Sequence, residues 1–251
     1  VEIIFLCTAA LLAGVMNGVA GGGGLIVFPA LVLVGVEPIH ANATSTAALW
    51  FGTVASCIAY RRELSTQRQE LFLLSSTSIV GGIFGSYLLL HTSSANFTAL
   101  IPYLMLVATV LFAVNRPVMK WLKGSERTSA NIRLPIIVLM LLQLVIATYG
   151  GYFGGGAGIL MLAVLNIMGI ENIHKMNAFK SWLATCINAV AIAYFIFAQK
   201  IVWVEAIMMA VAAIIGGYTS ADIARKLPQV LVQYFITGVG FCMTVYFFMN
   251  K

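Results

Sequence analysis

The sequence predicts an all-α polytopic membrane protein built as two inverted repeats, each a glycine-broken re-entrant hairpin followed by three transmembrane helices. Composition, the lengths of the apolar runs and two recurring glycine clusters carry that prediction. Of 251 residues, 61% are hydrophobic and 9% are charged, with a mean hydropathy of +0.99. A soluble domain carries about 25% charged residues. Here 14 basic and 8 acidic side chains are too few to coat a globule. At about 20 residues per crossing, the chain makes one helical bundle with no room for an appended soluble domain.

Taken in order, the apolar runs 3–18 and 25–36 flank the cluster from Gly18 to Gly24. Each glycine costs about 1 kcal/mol in a helix interior, so this cluster reads as a break. The runs 42–60, 69–90 and 97–115 are each long enough to span, and a basic cytoplasmic linker, Arg116–Arg133, follows. Runs 134–150 and 157–169 then flank a second cluster, Gly150 to Gly158, and 176–198, 202–223 and 229–249 are again long enough to span. The short arms 25–36 and 157–169 make about 18–20 Å of helix, well under a core of about 30 Å. Repeat 1 is therefore expected at 1–115, with its hairpin at 3–36, and repeat 2 at 134–251, with its hairpin at 134–169.

The halves match in register. At an offset of 134, Gly21, Gly22, Gly24, Gly35, Glu37, Ile39 and His40 meet Gly155, Gly156, Gly158, Gly169, Glu171, Ile173 and His174. At 135, Asn42 and Ala43 meet Asn177 and Ala178, Glu70 meets Glu205, and Gly81-Gly82 meet Gly216-Gly217. This is a tandem duplication. If each broken pair returns to the side it entered from, 12 basic residues lie toward the cytoplasm and 2 outside. If both pairs cross fully, the split is 10 to 4. The positive-inside rule favours the re-entrant, inverted arrangement.

Several function classes drop out. The net charge of +6 suits cytoplasmic loop lysine and arginine, and no basic run provides a nucleic-acid surface. Cys7, Cys57, Cys186 and Cys242 lack metal or redox spacing and read as packing residues. No metal, cofactor or catalytic residue is expected, because no nucleophile, carboxylate pair or metal set clusters in the apolar segments. No phosphate-binding Gly-x-x-x-x-Gly-Lys-Ser/Thr motif occurs, so a gradient or the membrane potential must drive any transport. Residues 1–20 lack the basic start of a signal peptide and are echoed later in the chain.

The glycine breaks carry the chemistry. A broken half-helix exposes unpaired N–H groups and the positive end of its dipole, and glycine lets an anion approach the backbone. The structural alternative is close helix packing through small residues. On the anion reading, the substrate-binding residues are Gly21, Gly22, Gly23, Gly24, Asn42, Thr44, Ser45, Gly154, Gly155, Gly156, Asn177, Lys180 and Ser181. Asn42, Thr44, Ser45, Thr46, Asn177 and Ser181 are also helix-capping types, and the two roles are compatible. Lys180 stands where the other repeat has Ser45, about one turn into its helix; it either faces the cavity near 154–158 or snorkels to the headgroups. His40 and His174 sit in equivalent turns before the third helix of each repeat, as proton-coupling groups or as plain turn residues. Asn17, Gln143, Asn166 and Asn188 read as helix–helix hydrogen-bonding residues.

The segments Gly-Val-Ala-Gly-Gly-Gly-Gly-Leu-Ile-Val-Phe-Pro-Ala-Leu (18–31), Asn-Ala-Thr-Ser-Thr (42–46), Gly-Gly-Gly-Ala-Gly-Ile-Leu-Met-Leu (154–162), Val-Trp (202–203) and Ile-Ala-Arg-Lys-Leu-Pro (223–228) resemble the TauE/SafE sulfite exporter family of permeases. The resemblance covers essentially the whole chain. It implies a multi-pass protein of the bacterial inner membrane that moves sulfur-containing oxyanions such as sulfite, sulfoacetate or other organosulfonates. Two departures stand out: Asn-Ala-Phe-Lys-Ser (177–181) replaces the family's second Ala-Thr-Ser, and Asp222 stands where arginine is common. The expected function is a secondary transporter, an exporter working by alternating access. An anion channel with a fixed glycine-lined constriction and an importer of a related anion are the alternatives. The expected partners are a small anionic substrate and the lipid bilayer, with a homodimer left open and no nucleic acid.

Overall fold

The computed structural model describes residues 2–19, 21–64, 68–124, 135–170, 172–226 and 229–250. Ten α-helices account for nearly all of them, and no strand occurs among the described residues. They are α1 (Glu2–Val19), α2 (Gly24–Leu33), α3 (Pro38–Ala59), α4 (Arg68–Leu90), α5 (Ser94–Gly124), α6 (Ile136–Tyr152), α7 (Ala157–Ile167), α8 (Ile173–Phe197), α9 (Trp203–Lys226) and α10 (Gln229–Met249). This is the all-α class that the apolar composition predicts, and the chain is a multi-pass membrane protein.

The helices pair reciprocally. The first arm of each broken pair packs along the fourth helix of the other half, α1 on α9 and α6 on α4. In the same way α3 lies on α9 and α8 on α4, while α3 meets α8 and α5 meets α10. Small residues make these approaches close. A Cβ on Gly14 would lie 2.5 Å from the Ala213 carbonyl oxygen, and one on Gly81 would lie 2.6 Å from Ala147 Cβ. Lipid offers no hydrophobic drive between helices, so contact of this kind is what holds them. Large apolar side chains such as Phe72, Val145, Phe197 and Tyr234 are left exposed on the outside, as a lipid-facing surface requires.

Several boundaries differ from the sequence expectation, each for a local reason. Gly18, Gly150 and Gly151 are helical rather than part of the breaks. Gly18 abuts Ser220, and a Cβ on Gly151 would lie 2.6 Å from the Gly82 carbonyl oxygen. Gly18 and Gly151 thus serve packing, while Gly150, with ordinary contact at 3.5 Å from Ile187, lines a cavity beside the breaks. The short arms have 10 and 11 residues, because Gly35 (φ 90°) and Gly169 (φ 84°) turn the chain left-handed. There Val36 N–H donates to Leu31 O (3.1 Å) and Ile170 N–H to Leu165 O (3.2 Å), the six-to-one bond of a Schellman end.

Among the described residues, five helices are long and apolar enough to cross a membrane: α1, α4, α5, α8 and α9. The run 3–18, not counted among those long enough to span, qualifies because α1 extends it at both ends, to Glu2 and Val19. Run 42–60 is absent from the five because α3 carries Asn42, Thr44, Ser45, Thr46, Thr53 and Ser56. Run 229–249 forms one helix of 21 residues, α10, apolar over Gln233–Met249. α5 continues to Gly124, into the expected linker; Arg127, Arg133 and Glu171 lie outside the described residues.

Candidate functional site

The two breaks meet. Gly21 faces Gly158, where an added Cβ would lie 2.7 Å from the Gly158 Cα, and Gly24 faces Gly155, at 3.7 Å from its Cα. Equivalent residues thus exchange partners across the contact, as a two-fold relation requires. Gly21, Gly154 and Gly156 all have φ near +80°, a conformation that lets each helix end turn away within one or two residues.

Beside this contact lies a partly open cavity whose empty space, counting the part open to solvent, is about 630 Å³. Its walls come from the tips, through Asn17, Gly21, Gly24, Phe153, Gly154, Ala157 and Gly158, and from two helices running past them. α3 contributes Ser45, Thr46, Leu49 and Thr53, and α8 contributes Lys180, Ser181, Ala184 and Asn188. These are the same four positions in each repeat at the offset of 135, and the spacing i, i+1, i+4, i+8 puts them on one helix face. α2 and α7 both begin at this cavity. Each points the positive end of its dipole there, while most first-turn N–H groups already donate to carbonyls of the breaks: Leu25 to Gly22 O (3.1 Å), Ile26 to Gly23 O (3.0 Å) and Ile159 to Gly156 O (3.1 Å).

Lys180 is 2% exposed. Its Nζ donates to Asn17 O (2.9 Å), Gly18 O (3.1 Å) and Asn177 Oδ1 (3.1 Å). Only the ammonium form carries three N–H groups for three acceptors. Two of those acceptors are carbonyls of the last turn of α1, where a cation also favours the negative dipole end. Lys180 thus faces the bundle, as the first of its two sequence readings has it, but its hydrogen bonds go to the first break. The 154–158 tip shares the cavity with it. Among the described residues no carboxylate pairs with Lys180. The next residue, Ser181, is also 2% exposed, and its Oγ has no hydrogen-bond partner.

The second break is held differently. Asn42, the counterpart of Asn177, donates from Nδ2 to Tyr152 O at the end of α6 (3.0 Å), and Tyr149 Oη donates to Gly155 O (2.6 Å). Asn42 leaves its Oδ1 unpaired and Asn177 its Nδ2. Neither asparagine lines the cavity, and Thr44 is turned away to accept from Val202 N–H (3.0 Å).

The remaining candidates are not gathered here. Gly22, Gly23, Gly155 and Gly156 are absent from the cavity wall. A Cβ on Gly23 would meet Ala13 O at 2.5 Å and one on Gly156 would meet Ala108 Cα at 3.2 Å, while Gly22 abuts the Phe112 ring and Gly155 abuts Phe153. His40 and His174 are inside the first turns of α3 and α8 rather than before them. The caps are Glu37, which accepts from His40 N–H, and Asn172, which accepts from His174 N–H and Lys175 N–H. Residues 42–46, 177 and 181 therefore do not cap the starts of their own helices. His40 Nδ1 lies 2.5 Å from Glu37 Oε2, and the His174 ring stacks on Tyr60. Burial pushes the Glu37 carboxyl up, but hydrogen bonds from His40 and Ser94 outweigh it and hold it below the usual carboxylate range.

The family model for the sulfite exporter TauE/SafE matches residues 6–247. The chain belongs to this family. Among TauE/SafE relatives, a probable membrane transporter protein, ORF9, of Sinorhizobium is 23% identical over 97% of this chain and 91% of its own length. A probable membrane transporter protein of Haemophilus influenzae is 24% identical over 92% and 89%. The probable membrane transporter protein YfcA of Escherichia coli K12 is 25% identical over 94% and 85%. No solved structure matches the chain.

Within this TauE/SafE chain the cavity also holds polar residues that sequence reasoning gave other roles. Asn17 and Asn188, read as helix–helix hydrogen-bonding residues, face the cavity, and so does Thr53. Gln143 does bridge helices, donating to Ser78 Oγ (2.8 Å). Stepping by i+8 from Ser45 and from Lys180 would have reached both Thr53 and Asn188.

Proposed function

We propose that the protein is a secondary transporter that exports small sulfur-containing oxyanions such as sulfite, sulfoacetate or other organosulfonates. The observation that carries this reading is the cavity at the junction of two broken helices, with one buried ammonium and no carboxylate beside it among the described residues. A buried charge without a counter-charge is costly, so such a site favours an anion. Ser181 Oγ offers it a free hydroxyl, and the starts of α2 and α7 offer the positive ends of two helices. The family's name agrees with an oxyanion of sulfur.

The two halves act as inverted repeats, 1–115 and 134–251, that rock about the cavity and open it to each side in turn. The reciprocal pairing of α1 with α9 and α6 with α4, and the exchanged glycine partners at the tips, support this reading. An interior-negative potential favours anion exit by about 2.3 kcal/mol per charge per 100 mV, which suffices to drive export without a chemical step. The histidines at the helix starts take no part in binding.

The test is flux into liposomes carrying the purified protein, with sulfite, sulfoacetate, taurine, sulfate and chloride compared. Saturable sulfite or sulfoacetate uptake that is accelerated by the same anion on the far side is the expected result. Large single-channel currents would replace the carrier with a channel, and the absence of any flux of sulfur oxyanions would overturn the substrate class.

A further inference from the structure

The ends of α1 and α6 both leave carbonyls at membrane depth, and a side chain from the other half holds each. At α6 the holder is neutral: the Asn42 amide on Tyr152 O. At α1 it is charged: the Lys180 ammonium on Asn17 O and Gly18 O, with Asn177 Oδ1 fixing its third proton. The two holders also differ in access, because Lys180 and its neighbour Asn17 line the cavity and Asn42 does not.

We propose that Lys180 is an exchangeable clasp on the first break: a bound oxyanion takes its ammonium from the Asn17 and Gly18 carbonyls and so frees the end of α1 from α8, while the Asn42 clasp on the second break stays closed. The proposal rests on the anion-transport reading above. A hydrogen bond between an ammonium and an oxyanion has charge on both partners and outcompetes one to a neutral carbonyl. Ser181 Oγ, one residue on and unpartnered, stands ready as a second donor to the same anion. Asn177 is the positioning residue, since it keeps one Nζ proton while the other two change acceptors. Nothing equivalent can happen at α6, where an amide gains no charge-charge attraction by leaving Tyr152 O. Occupancy of the cavity is thereby converted into loosening of one break and not the other, which makes the α1–α8 contact the moving one and the α6–α3 contact the pivot.

The experiment is amide hydrogen exchange on the full-length protein in nanodiscs, with sodium sulfite or sodium sulfoacetate against sodium chloride at equal ionic strength. Calorimetry on the same samples measures whether each anion binds. The wild type should exchange about fivefold faster across residues 17–21 when the sulfur anion is bound, with residues 150–154 unchanged. Lys180→Met should exchange fast across 17–21 without any anion and respond to none, and Lys180→Arg should keep part of the anion response. Should the methionine variant fail to fold, the wild-type comparison of the two segments decides alone. Binding without faster exchange at 17–21, or with equal change at 150–154, overturns the clasp and leaves the transport reading standing. Absence of binding of either sulfur anion overturns the transport reading, and the clasp with it.

Discussion

The first break ends in two carbonyls held by an ammonium, and the second ends in one held by an amide. Both solutions come from the same place in the repeat, the second turn of the helix that follows the opposite broken pair. Asn42 and Asn177 are equivalent, but Asn42 reaches the broken helix itself, while Asn177 serves Lys180, which reaches it instead. A single difference, Ser45 in one half and Lys180 in the other, accounts for the change. The matched offsets give the two halves a common frame, and the contrast between Ser45 and Lys180 makes the cavity electrically one-sided. Two breaks with the same geometry therefore need not have the same chemistry.

The largest effect expected within this comparison is steric. Gly21→Ala places a Cβ 2.7 Å from the Gly158 Cα on a backbone of φ 83°. The left-handed conformation alone costs about 1–2 kcal/mol. The variant should lose transport and much of its thermal stability. Gly24→Ala, whose Cβ would find ordinary contact at 3.7 Å, should keep its expression level and melting temperature. Equal behaviour of the pair would mean that the tips are not in contact.

Charge comes next. Lys180→Met should weaken sulfite affinity at least about tenfold, or 1.4 kcal/mol, and flatten its dependence on ionic strength. Asn42→Leu leaves Tyr152 O unpaired and should cost stability by about 1–3 kcal/mol, with a smaller loss of affinity than the lysine variant. Measuring thermal unfolding and sulfite binding on both variants separates the roles; a salt-dependent affinity that survives in Lys180→Met would remove the charge from the site.

A smaller contrast tests the hydroxyls. Ser181 Oγ has no partner, whereas Ser45 Oγ already donates to Asn42 O (2.9 Å). Ser181→Ala should lower affinity by about fivefold and leave the melting temperature in place. Ser45→Ala should lower affinity less. Titration calorimetry on both variants would expose an error if the order reversed.

The smallest effect concerns the caps that start α3 and α8. Glu37→Ala and Asn172→Ala should each cost about 1 kcal/mol of stability. Only the first should depend on acid. Because the folded Glu37 carboxyl is held below its ordinary value, its contribution is complete above the usual carboxylate range and fades as pH falls through the lowered folded value. Unfolding of the wild type and both variants from pH 7 down to pH 3 should show the wild type converging on Glu37→Ala and not on Asn172→Ala.

By itself the sequence determined the solvent, the class and the frame. Charged residues too few for a water-facing surface force the chain into lipid, where backbone groups must pair within helices. Glycine clusters at matched offsets mark where two of those helices stop. Sequence spacing also placed Ser45, Lys180 and Ser181 on cavity-side turns, because one helical period connects them to the breaks. Tertiary structure decided which glycines are breaks and which are packing surfaces: Gly18 and Gly151 lie inside α1 and α6 against Ser220 and Gly82, while Gly21 and Gly158 meet at the tips. It likewise decided that Glu37 and Asn172 cap α3 and α8, and that Asn17 and Asn188 face the cavity. Above all it decided what Lys180 touches. Its partners, Asn17 and Gly18, are more than 160 residues away in the chain, and both bonds are to backbone carbonyls. A carbonyl is the same atom in every residue, so no sequence pattern could have marked it.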